Sequence, residues 1–129
     1  MRRLALGVLF GLLPGLVSGQ PSPGAVVINE LLYAPVPSSN ELLELYNRSD
    51  SAVALHDLAF ADADREYVPV STADTTLGSG EYVVLVRDAA AFEAGFPAAD
   101  YLAPDEWAAL NNGGDTLYLR HSPSKSVLD

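Results

Sequence analysis

Glu30 and Glu44 are the residues whose setting most invites chemistry. Each carboxylate sits inside a strand-like apolar run, Val26-Val27-Ile28-Asn29-Glu30-Leu31-Leu32 and Glu41-Leu42-Leu43-Glu44-Leu45-Tyr46-Asn47. Residues two apart on a strand share a face. Glu30 is therefore expected beside Ile28 and Leu32, and Glu44 beside Leu42 and Tyr46. A carboxylate in such company is costly unless it is hydrogen-bonded, paired or protonated. Two roles follow. Approaching across neighbouring strands, the two could hold a cation through oxygen ligands, and Ca²⁺ suits that chemistry. Accepting backbone N–H groups from a nearby loop, each would instead staple the fold, the usual fate of buried polar groups. The structural role is the expectation here. Glu30 and Glu44 stand as the candidate metal ligands, with Ca²⁺ the one cofactor considered and Asn29, Asn40 and Asn47 as helpers in either role.

Other chemistry finds less support. Asp62-Ala63-Asp64-Arg65-Glu66 alternates acids as a calcium loop begins, but Tyr67 and Ala73 occupy the positions where an EF-hand needs Gly and Glu. It reads as a solvated acidic loop. His56 and His121 are the only histidines, and no Gly-x-Ser-x-Gly elbow occurs. Adjacent His56 and Asp57 on a strand would point to opposite faces, which disfavours a catalytic triad. Gly78-Ser79-Gly80 lacks the Lys and following helix of a phosphate loop and reads as a turn. Arg48, Arg65, Arg87, Arg120 and Lys125 are too scattered for a nucleic-acid surface. Tyr33, Tyr46, Tyr67, Tyr82, Tyr101 and Trp107 could build an aromatic platform for a sugar or protein ligand, although core packing explains most of them equally well. Trp107 stands apart, because it follows the polar Pro104-Asp105-Glu106.

The elements that position these residues begin after an export signal. Arg2 and Arg3 precede an apolar stretch from Leu4 to Leu13, then Pro14-Gly15 and small residues, so residues 1–19 read as a signal peptide cut after Gly19. The stretch is too short for a comfortable bilayer span, and no membrane span is expected once it is removed. About 110 residues remain, one domain's worth. Loss of the two arginines takes the formal charge from −10 to −12, which opposes non-specific nucleic-acid binding and suits an extracellular protein. The chain has no cysteine, so disulfides, thiolate metal sites and thiol nucleophiles are excluded.

Residues 20–24 read as a flexible leader. Strands are expected over Val26–Tyr33, Leu42–Tyr46, Ala52–Leu55 with Leu58–Phe60, around Tyr67–Val70, Glu81–Arg87 and Thr116–Arg120. Ala34–Asn40 and Asn47–Ser51 read as loop and turn, and Thr75-Thr76 as part of a polar connection leading to Leu77. Apolar residues on both faces of Glu81–Arg87 suggest the centre of a sheet. Asp88 should cap a short helix through Ala89–Glu93, ended by Gly95 and Pro97. Asn111-Asn112-Gly113-Gly114-Asp115 is a hairpin signal. Short strands, frequent turns and almost no helix mean an all-β sandwich.

With these residues assembled, the chain resembles a lamin tail domain of the bacterial secreted type. The resemblance rests on Ile28-Asn29-Glu30-Leu31, Glu44-Leu45-Tyr46-Asn47, Val53-Ala54-Leu55-His56-Asp57-Leu58, Leu77 to Leu85, Leu110 to Asp115 and Leu117-Tyr118-Leu119, in that order. It spans residues 25–129 and implies an immunoglobulin-like sandwich used as a non-catalytic interaction module. The family pattern continues past an aspartate into one more strand, so either the sequence is C-terminally incomplete, which is the expectation, or the sandwich lacks its last strand and leaves a neighbouring edge unpaired. The functional expectation is an exported, non-enzymatic binding or adhesion module of a larger surface or secreted protein. The competing one is a calcium-stabilised accessory domain supporting an attached exported hydrolase such as a nuclease. Protein or polysaccharide ligands fit either, and the sequence carries no signal for oligomeric state.

Overall fold

The computed structural model describes residues 19–33, 40–110 and 116–129. The expected signal peptide up to Ser18, most of the Ala34–Asn40 loop and the Asn111–Asp115 hairpin lie outside the described residues.

Strands dominate. In chain order they are β1 (Val26–Leu32), β2 (Leu42–Asn47), β3 (Val53–Ala54), β4 (Leu58–Ala61), β5 (Val68–Pro69), β6 (Thr76–Leu77), β7 (Tyr82–Val86), β8 (Tyr118–His121) and β9 (Ser126–Val127). They form antiparallel sheets of order β1-β2-β7, β3-β6 and β5-β4-β8-β9. The layers enclose one core. Val26, Leu43, Leu45 and Leu85 from the first sheet meet Leu58, Phe60 and Leu119 of the third, Val70 just beyond β5, and Leu77 of the second. Each large aliphatic side chain so buried contributes roughly 1.5–3 kcal/mol of transfer free energy. This is the all-β sandwich that the strand pattern implies, of the immunoglobulin-like kind that the resemblance implies.

Among the described residues the one α-helix, α1 (Ala89–Gly95), starts where expected because the Asp88 side chain accepts a hydrogen bond from the Ala91 N–H at 3.0 Å. Among the described residues no helix is long and apolar enough to cross a membrane.

Three local expectations are corrected. β7 is not central: β2 lies between β1 and β7. Among the described residues the far flank of β7 is closed only in part, by Leu102, whose N–H donates to the Val84 carbonyl at 2.8 Å and whose carbonyl accepts from Val86 at 2.9 Å. That contact helps to explain why an edge strand carries apolar residues on both faces. Second, the connection to Leu77 holds a strand, because Thr76 and Leu77 pair with Ala54 and Val53. Third, the break in the third strand is a 3-10 turn over Leu55–Asp57, which places adjacent side chains differently from a strand.

Candidate functional site

Strand β2 alternates strictly. Glu41, which precedes it, and Leu43, Leu45 and Asn47 are buried, whereas Leu42, Glu44 and Tyr46 are only half-buried. Glu44 does share a face with Leu42 and Tyr46, but that face is the outer one. On β1 the register with β2 slips between Ile28 and Glu30, so Asn29 is the extra residue of a bulge. The slip inverts the side-chain parity. Ile28 packs on the core opposite Leu45, whereas Glu30 is exposed opposite Glu44. Glu30 therefore parts company with Ile28, contrary to the expectation from simple alternation. The two carboxylates do meet across neighbouring strands, and the Asn29 side-chain amide donates to Glu44 Oε1 at 2.7 Å. Among the described residues no group of three His, Asp or Glu side chains is arranged to hold a metal ion.

The carboxylate that the interior does accept is Glu41, only 3% exposed. Its Oε1 accepts from the Arg87 guanidinium at 3.1 Å, and its Oε2 from the Trp107 indole N–H at 2.8 Å. The Arg87 backbone N–H also donates to the Glu41 carbonyl at 3.1 Å. Trp107 in turn meets the Phe60 ring edge-on, with centroids 5.2 Å apart. Glu41 thus ties the start of β2, the end of β7 and the long 96–110 connection to the core. The indole of Trp107, set apart in the sequence by the preceding Pro104-Asp105-Glu106, donates instead to this carboxylate, distant in the chain.

Asn47 is completely buried and uses its whole side chain. Nδ2 donates to the carbonyls of Ser51 at 2.8 Å and Leu77 at 2.9 Å, and Oδ1 accepts from the N–H and Oγ of Ser49 at 3.0 and 2.7 Å. The Asn47 carbonyl also accepts from Gly80 at 2.8 Å, and Gly80 holds a φ of +74° that favours glycine. The Asn47–Ser51 turn and the Gly78–Gly80 turn are thereby fastened together through one amide.

A third cluster gathers both histidines. The 3-10 turn sets His56 Nε2 3.5 Å from Asp57 Oδ1, while His121 Nε2 lies 3.8 Å from Asp57 Oδ2. His121 Nδ1 contacts Ser124 Oγ at 2.7 Å, and the Ser122 N–H donates to the Asp57 carbonyl at 2.7 Å. A separation of 3.8 Å is too long for the hydrogen bond that orients the base of a nucleophilic triad. The arrangement fastens the β8–β9 turn to the 3-10 turn. The acidic loop is likewise locally closed, since the Asp64 N–H donates to Asp62 Oδ1 at 3.0 Å and that of Arg65 to the Asp62 carbonyl at 3.0 Å.

The aromatic residues divide between these tasks and the surface. Tyr67 lies under the Arg120 guanidinium at 3.9 Å and Tyr118 under that of Arg65 at 4.3 Å. Tyr101 donates to Glu93 and meets Phe92 edge-on at 5.3 Å. The Glu93 hydrogen bond, together with burial of the phenol and repulsion from the same carboxylate, raises the Tyr101 pKa above its ordinary value. On the outer face of β1-β2-β7, Tyr46 and Tyr82 stack at 4.4 Å, with Tyr82 55% exposed. Leu32 and Tyr33 are exposed too.

Glu41 and Asn47 were not singled out from the sequence as the interior polar residues. The signal that could have found them is parity, because both fall in the Leu43–Leu45 row rather than the Leu42–Tyr46 row. No curated protein matches the chain. A family model described as Lamin Tail Domain matches residues 19–129.

Proposed function

The chain belongs to the lamin tail domain family, and from that premise we propose that it is an exported, non-catalytic binding or adhesion module of a larger surface or secreted protein. The observation that carries this reading is where the polar chemistry is spent. The buried Glu41 and Asn47 and the largely buried His121 all hold loops to the sandwich, while the outer sheet face presents the stacked Tyr46–Tyr82 pair at one end of β2 and exposed apolar Leu32 at the other. Exposed aromatic and apolar residues on a rigid sheet are what a recognition surface uses. The apolar segment that precedes the family match supports export. Protein and polysaccharide ligands both suit such a surface, and the net charge of −10 argues against nucleic acid.

The purified protein should turn over none of a panel of nuclease, phosphatase and glycosidase substrates. Turnover that copurifies with the folded protein would overturn the reading. Expressed from its full sequence in a bacterium, it should be recovered outside the cytoplasm with an N-terminus at Gln20.

A calcium-stabilised accessory role for an attached hydrolase has one observation in its favour, the placement of Glu30 directly opposite Glu44. Like charges so placed repel by roughly 0.2–1 kcal/mol, which a divalent cation would relieve. On that reading millimolar calcium raises the melting temperature, and Glu30→Gln removes the response. Identical melting in calcium and in chelator would reject it.

A further inference from the structure

Strands β6 and β7 are joined by the Gly78–Gly80 turn but do not pair with each other. Between them opens a cleft of about 300 Å³, reaching from Thr76 and Leu77 on one side to Tyr82 and Val84 on the other. Both of its sides are sheet edges. Partners in an antiparallel ladder alternate, so successive residues of a strand direct their peptide groups to opposite flanks. Arg87 N–H donates to the Glu41 carbonyl and Asn47 N–H to the Glu81 carbonyl, which places the odd-numbered peptide groups of β7 against β2. The even-numbered groups face the other way, where Leu102 takes the Val84 carbonyl and the Val86 N–H. That contact ends at one isolated bridge, and no strand among the described residues pairs with the edge beyond it, at Tyr82. On the opposite side β6 pairs, among the described residues, with β3 alone.

The charge of the cleft is one-sided. Glu81 and Asp100 line it, and none of the described residues that line it is basic. Glu81 is held in place, since its Oε2 accepts from the Gly78 N–H at 2.7 Å. The two tyrosines of the cleft, Tyr82 and Tyr101, are also held, one by stacking on Tyr46 and the other by Glu93 and Phe92. Rigid aromatic residues lose little freedom on binding, and their faces attract cations.

Resting on the reading of this domain as a binding module, we propose that the cleft docks an extended segment of a partner protein carrying Lys or Arg side chains. The segment adds to the free edge of β7 at Tyr82. Its main chain takes the unpaired edge groups, as in other cases of strand addition. Its alternate side chains carry positive charge to Glu81 and Asp100.

The test uses the purified protein and three end-blocked hexapeptides: Thr-Lys-Val-Lys-Thr-Lys, the same sequence with Glu for each Lys, and the lysine peptide N-methylated at alternate residues. The lysine peptide should shift the amide resonances of Thr76, Tyr82 and Val84, with a dissociation constant on the order of 0.1 mM. The Glu peptide and the N-methylated peptide should each bind at least about tenfold more weakly. Asp100→Asn, at an exposed position, should weaken the lysine peptide about threefold, and adding Glu81→Gln about tenfold in all. Equal binding of all three peptides, shifts confined to another surface, or a linear gluco-oligosaccharide perturbing these amides where the lysine peptide does not, would each overturn the proposal. So would absence of any binding. The broader module reading falls on the separate finding of catalytic turnover.

Discussion

Replacing Glu41 by Ala strips the Trp107 indole and the Arg87 guanidinium of a shared acceptor. The cost has two parts: a lost charge-assisted pair of hydrogen bonds, and an indole N–H left without its partner. Because Arg87 remains partly exposed, its charge can turn to water, which limits the penalty. We expect a loss of about 2–3 kcal/mol for Glu41→Ala and less for Glu41→Gln, which still accepts from Trp107; urea unfolding followed by Trp107 fluorescence measures both. Trp107 is the only tryptophan, so the probe reports on this cluster directly. A second residue-scale prediction concerns Tyr101. Its folded pKa is raised, chiefly by the hydrogen bond to Glu93. The associated stabilisation is therefore full below the unfolded value of about 10 and is lost as pH rises through the higher folded value. In an ultraviolet titration of the folded protein, one tyrosine should ionise later than its fellows, and Glu93→Gln should advance it. Neither residue was legible from the chain alone. Glu41 sits at the edge of its apolar run and looks like a flanking solvated acid, while Glu44 sits at its centre and looks buried. The run Leu42-Leu43-Glu44-Leu45-Tyr46 supports either parity, and only Phe60, Trp107 and Arg87, distant in sequence, choose between them.

Among the elements, the bulge in β1 has the widest consequences. Ahead of it Val26 and Ile28 face the core, and beyond it Leu31, opposite Leu43, takes over that direction. Deleting Asn29 leaves the pairs Ile28 with Leu45 and Glu30 with Glu44 intact, since Asn29 is the residue without a partner. That deletion should fold, with a loss of no more than about 2 kcal/mol from the Asn29–Glu44 hydrogen bond and local adjustment. Deleting Val27 instead shifts fully buried Val26 out of step with Asn47 and should prevent cooperative folding. Thermal unfolding followed by circular dichroism separates the two variants. Most elements were readable beforehand: β2, β4, β7 and β8 from apolar runs, and α1 from its Asp88 cap and alanines. Strand β6 was not, because two residues in a polar setting carry no periodicity and pair only once β3 is in place. The 3-10 turn was hidden for a similar reason, and with it the approach of His56 to Asp57.

At the scale of the whole molecule, export and a binding role remain the reading that accounts for the acidic charge, the apolar N-terminal segment and the sandwich together. Composition bounded the chemistry at once, since a chain without cysteine stabilises itself by burial. Order along the chain was enough to point to the lamin tail family and to an all-β sandwich, because alternation, turn residues and β-branched runs are local properties that survive without knowledge of the partner strand. What folding alone decided is which side of each strand became interior. That choice depends on register, and register depends on a single unpaired residue, Asn29, and on contacts between segments tens of residues apart. The same long-range packing drew Glu41 into the core, left Glu30 outside it, and opened an acidic cleft between two strands that are near neighbours in the chain.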